Sequence, residues 1–199
     1  SERWQLVHIT LGYSMAGLIA FRLAWGILGT RYARFTQFVR GPQAVVQYMR
    51  SLHSSAPQHH IGHNPAGALA IVLILLAGAA LTLSGWANYN ELGGNWVEEV
   101  HEVLGNGMLL LIGVHIAGVV VSSRLHRENL VRAMFTGSKA GAPSEGISRS
   151  FTWLAAVLLA AVLTFWVSQW RSAPTPSEEA ALVVPVSAPA PQATGTTVS

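Results

Sequence analysis

In 199 residues the chain is 51% hydrophobic and only 11% charged, a balance that argues against an ordinary soluble domain. It holds no cysteine, which excludes disulfides, thiolate zinc sites, iron–sulfur clusters and c-type haem attachment, and leaves eight histidines as ligands for anything redox-active. The net charge of +3 does not point to nucleic acid, because the basic residues flank apolar runs instead of clustering on one soluble face.

The chain opens at Ser1 without an initiator Met. No basic n-region precedes an apolar run with a small-residue cleavage site, so the start reads as a processed or truncated end. Residues 9–28 form the first apolar span, interrupted only by Arg22. The connection after it carries an amphipathic piece, 35–53, in which Phe38, Val45, Tyr48 and Leu52 alternate with Arg40 and Arg50, broken at Gly41–Pro42. Such a piece can lie on a membrane surface or simply be a solvated loop helix. Span two covers 65–86, with Asn64 placed to cap it and Pro65 at its first helical position. Span three covers 97–121 and is followed by a second amphipathic piece, 125–135. Span four covers 151–170. Each span has about 20 residues, enough to cross about 30 Å of hydrocarbon, and all seven tryptophans lie near span ends, as an interfacial belt requires. Residues 172–199 turn to Pro, Ala, Ser, Thr and Val, a composition that cannot bury enough surface to order itself. The expected architecture is all-α: an integral membrane four-helix bundle over 1–171 with a disordered C-terminal tail.

Charge orients the spans. Arg31, Arg34, Arg40 and Arg50 follow span one, and Arg124, Arg127, Arg132, Lys139 and Arg149 follow span three. Between spans two and three there is no Lys or Arg, only Glu91, Glu98 and Glu99. The positive-inside rule then makes the first and third connections cytoplasmic and puts both termini, with the tail, on the opposite side.

With direction assigned, each histidine has a depth. His8 and His101 fall on the outer side, His63 and His115 on the inner, while His53, His59, His60 and His126 lie in loops. His101 and His115 share one span; fourteen positions are about 21 Å of helix, with both side chains on roughly the same face. An imidazole in lipid is costly and marks a pathway or a cofactor. Two at one depth on neighbouring helices can ligate an iron porphyrin from both faces. Gly12, Gly67 and Gly105 each lie four residues after His8, His63 and His101, on the same helix face, where a missing side chain leaves room for a macrocycle; Gly118 follows His115 by three. Glycines of membrane helices also serve helix packing. Arg22, inside span one, needs either a carboxylate such as a haem propionate or a snorkelling route to water.

The runs WQLVHITLGY, FRLAWGILGTRYARFTQFVRGP, GHNPAGAL and HEVLGNGMLLLIGVHIAGVVVSSRLHRENLVRAMFTG occur in that order between Trp4 and Lys139. Together they resemble the bacterial cytochrome b561 and nickel–iron hydrogenase b-type cytochrome family. The resemblance implies a multi-pass protein of the bacterial inner membrane that binds haem b through helix histidines. It would pass electrons between a quinone pool and a redox partner, which can be a hydrogenase-like subunit. His8, His101 and His115 fall where that family places haem ligands. The family pattern has a further helix ahead of this segment, opening with a histidine–tryptophan pair that supplies the partner of His115; the present sequence does not contain it. One haem, between His8 and His101, keeps both ligands; a second would need that helix or His63 in its place. The competing readings are a non-redox membrane anchor subunit and a histidine-based metal-binding membrane protein.

Overall fold

The computed structural model describes residues 2–52, 64–125, 129–136, 146 and 151–173. Among them the regular structure is entirely helical: α1 (Glu2–Leu28), α2 (Phe35–Phe38), α3 (Pro42–Ser51), α4 (Pro65–Tyr89), α5 (Asn95–Leu125), α6 (Leu130–Thr136) and α7 (Thr152–Ser172). Four of these, α1, α4, α5 and α7, are long and apolar enough to cross a membrane.

The long helices outrun the apolar spans at their ends. α1 starts at Glu2 because Glu2, Arg3 and Gln5 are good helix formers that hydropathy alone does not count. α5 has 31 residues. That is about 46 Å of helix against about 30 Å of hydrocarbon, so its ends reach into the interfacial layers. The capping of α4 follows its sequence: Pro65 stands at the first position and the Asn64 side chain accepts the Gly67 N–H at 2.7 Å. The connection before it breaks where Gly41–Pro42 predicts, between α2 and α3. In the second amphipathic piece Leu125 instead ends α5, and a separate α6 begins after Asn129, whose Oδ1 accepts the Arg132 N–H at 2.8 Å.

α4 and α5 are joined by a tight turn. The Leu92 N–H bonds to the Ala87 carbonyl and the Glu91 N–H to that of Asn88, the paired pattern of a Schellman C-cap. Its left-handed position is held by Glu91, at φ 55°, where glycine is usual. Gly93 and Gly94, at φ 95° and 69°, then turn the chain into α5.

The chain divides into two units, Ser1–Ala155 and Ala156–Ser199. In the first, α4 packs against both α1 and α5, and α3 packs on α4. The three long helices meet at Gly78 of α4, where an added Cβ would lie 2.7 Å from Ile19 Cδ1 of α1 and 3.1 Å from Met108 Cε of α5. His8 of α1 and Ser84 of α4 both lie beside His101 of α5, a second level of contact, so α1 and α5 run the same way and α4 opposite. Buried side chains are few, chiefly Phe38, Tyr48, Ala68, Val97 and Met108, while Leu28, Leu109 and Leu110 are 81%, 71% and 70% exposed. Water would not tolerate that inversion over four long helices; a bilayer solvates it. α7 lies mostly in the second unit, with Arg171 in its last turn and Trp153, Trp166 and Trp170 exposed near its ends. The expectation of an all-α chain with four membrane-length helices holds; the tail from 174 onward lies outside the described residues.

Candidate functional site

α1 and α5 bring His8 and His101 together. Their ring centroids are 5.9 Å apart with the planes at 87°. Two imidazoles bonded at about 2 Å to opposite sides of one metal ion have centroids about 6 Å apart, so the pair already stands at ligation distance.

The two rings are held differently. His101 is half-buried against α4, and its Nδ1 lies 3.1 Å from the Leu81 carbonyl oxygen and 3.1 Å from Ser84 Oγ. A carbonyl can only accept, so Nδ1 carries a proton, and in the neutral ring Nε2 is then the nitrogen with the free lone pair. Ser84 Oγ donates to the same Leu81 carbonyl at 3.0 Å, which leaves its own lone pair for Nδ1–H. Gly85 completes the notch: a Cβ there would stand 2.8 Å from His101 Cε1 and 3.2 Å from Nδ1. Leu81, Ser84 and Gly85 share one turn of α4 at i, i+3, i+4 spacing and form a seat for one imidazole. His8 is exposed and makes no hydrogen bond among the described residues. Gly12 has nothing within 4 Å of an added Cβ, and Gly105 only Leu81 Cδ1 at 4.0 Å, so both helix faces beside the pair are open.

His115 is half-buried on α5, with open space at Gly118 and no hydrogen-bond or ring partner among the described residues. His63 lies outside the described residues, as do His53, His59, His60 and His126. The space at Gly67 is taken by the cap of α4, since an added Cβ would press on Asn64 Oδ1 at 3.2 Å. Arg22 Nη1 donates to the Ala33 carbonyl at 3.2 Å, and its guanidinium lies 4.8 Å from the Phe35 ring centroid and 5.8 Å from that of Phe38. The loop after α1 thus folds back over the arginine and gives it a partner near the helix end. Among the described residues no three or more His, Cys, Asp or Glu gather as a metal-binding group. A bare transition metal wants about four protein ligands; a porphyrin brings four nitrogens of its own, and a histidine pair completes it.

Residues 2–137 match the family model described as prokaryotic cytochrome b561. The chain belongs to that family. It is therefore a multi-pass bacterial membrane cytochrome of the b type, a class that works in electron transfer. The match covers α1 through α6, including the His8–His101 pair and its seat on α4. No curated protein and no solved structure matches this cytochrome. Leu81, Ser84 and Gly85 escape a sequence reading: a bond to a backbone carbonyl has no residue signature, and a Ser-Gly pair in an apolar helix reads as packing.

Proposed function

We propose that this cytochrome carries electrons between a quinone pool and a redox partner through haem b held by His8 and His101. The observation that carries the reading is the pairing of the two imidazoles across α1 and α5 at ligation distance, with the tautomer of His101 leaving Nε2 free to bind a metal. The open faces at Gly12 and Gly105 suit a flat macrocycle beside them. Haem would supply the one-electron couple, and ligation by both His8 and His101 would favour electron transfer over oxygen chemistry. The protein's part is to orient the two nitrogens and flank them with apolar helix.

In this reading the His8–His101 end and the C-terminal tail are periplasmic and the Arg-rich loops cytoplasmic, which the basic connections support through the positive-inside rule. A second haem would sit at His115, about 21 Å further along α5. Arg22 lies fourteen residues along α1 from His8, level with His115, and keeps N–H groups beyond the one given to Ala33, so a propionate there would find a donor. Its partner on the far side would be His63 or a helix outside this sequence.

A reduced-minus-oxidised absorbance spectrum of the purified protein, with pyridine-haemochrome quantification, tests the reading. A b-type spectrum that loses its six-coordinate low-spin signature in both His8→Ala and His101→Ala is expected. Absence of any b-type signal refutes it, and the haem-to-protein ratio reports one site or two.

A further inference from the structure

We infer that Ser84 is a positioning residue that, with the Leu81 carbonyl, fixes the plane and tautomer of His101 and thereby lowers the reduction potential of the haem that His101 would bind; the inference rests on the ligation proposed above. The two candidate ligands are unequal. His101 gives its Nδ1 proton to two acceptors on one turn of α4, at 3.1 Å each, and is backed by the bare surface of Gly85. His8 has no such acceptor among the described residues; its close neighbour is the His101 ring.

An acceptor on Nδ1–H makes the opposite nitrogen more basic and a stronger donor to a metal, as the carboxylates and carbonyls behind metal-bound histidines do. A stronger donor stabilises ferric over ferrous iron, and hydrogen bonding around the ligands is one of the means by which proteins set haem potentials. The Leu81 carbonyl belongs to the backbone and survives any side-chain change. Ser84 is the part of the seat that the side chain at one position supplies. Because the hydroxyl hydrogen goes to Leu81 O, the oxygen faces Nδ1–H as an acceptor. Removing it halves the acceptors and frees the ring to swing. Threonine carries the same hydroxyl at the same atom and a methyl that a membrane helix tolerates.

The test uses the full chain, haem-loaded, in lipid nanodiscs, with the midpoint potential of the component that disappears in His101→Ala followed by spectroelectrochemistry. Ser84→Ala is expected to keep the haem-to-protein ratio and to raise the midpoint. The rise should equal a threefold to tenfold change in the ferric-to-ferrous partition, tenfold being 59 mV for one electron. Ser84→Thr should restore the partition to within twofold. If Ser84→Ala loses haem, retention in Ser84→Thr supports the hydroxyl's role equally. An unmoved or lowered midpoint in Ser84→Ala overturns the inference, and so does failure of Ser84→Thr to restore either quantity. Unmodified protein without b-type haem would sink the ligation proposal itself. A normal b-type spectrum with an unmoved midpoint sinks only the role of Ser84.

Discussion

Gly85→Ala attacks the seat of His101 from below without touching any hydrogen-bonding group. The new Cβ would stand 2.8 Å from Cε1 of the ring, and an ordinary contact begins at 3.4 Å. The imidazole must therefore retreat from α4 by about 0.6 Å. Its bonds to Leu81 O and Ser84 Oγ already measure 3.1 Å, and the retreat takes them to about 3.7 Å, past the range in which they count as bonds. At about 1 kcal/mol each, their loss would weaken the hold on the haem proposed at His101 by about 1–2 kcal/mol, or roughly 5–30-fold in affinity. The helix itself gains about 1 kcal/mol of propensity from the same change, which offsets much of that loss in the fold. The assay is haem release into an excess of a high-affinity haem-scavenging apoprotein, with helicity followed by circular dichroism. Release at least fivefold faster at unchanged helicity is expected. A rate within twofold of the unmodified protein would show that the ring does not depend on this seat.

Glu91→Gly should stabilise the α4–α5 turn by about 1 kcal/mol, because it relieves a left-handed residue at φ 55°; a melting temperature raised by about 2–4 °C would show it, and a lowered one would contradict the cap. At Gly78 the atoms in the way are the flexible ends of Ile19 and Met108. Alanine there should be near neutral, whereas Gly78→Val should cost about 1–3 kcal/mol by wedging α1 and α5 off α4; equal chemical-denaturation midpoints for the two variants would refute the three-helix contact. Arg22→Ala removes the bond to Ala33 and the stacking on Phe35. That should cost about 1–2 kcal/mol locally and speed amide exchange between residues 29 and 39, with unaltered exchange counting against the strap.

The long helices were legible because a membrane writes its thickness into the chain: about 20 apolar residues per crossing survive any detail of packing. The proximity of His8 and His101 was legible for the same reason, since sidedness turns position along a span into depth. What depth does not encode is the direction of a polar group. Ser84 and Gly85 carry no signal of their own in the sequence because their value lies in facing one ring, and the Leu81 carbonyl is invisible to any side-chain reading. Gly67 has a second role that its spacing from His63 does not announce: its N–H is capped by Asn64, whose Oδ1 lies 3.2 Å from where a Cβ would stand. Arg22 met a carbonyl and two aromatic rings from a loop that doubles back, and no periodicity within span one foretells a return. Glu91 occupies a place where glycine would have announced the end of α4.

The turn held by Glu91 and Gly93 has a bearing on how the molecule is assembled. Leu81 and His101 are only 20 residues apart, and the hairpin that joins them closes through a handful of positions. Loop-closure entropy is small for such a connection, and contacts this local form early. His8 must be recruited across more than ninety residues of chain. Closing His101 onto its seat therefore costs about 1 kcal/mol less chain entropy than bringing in His8, which makes the α4–α5 hairpin the more local half of the pair.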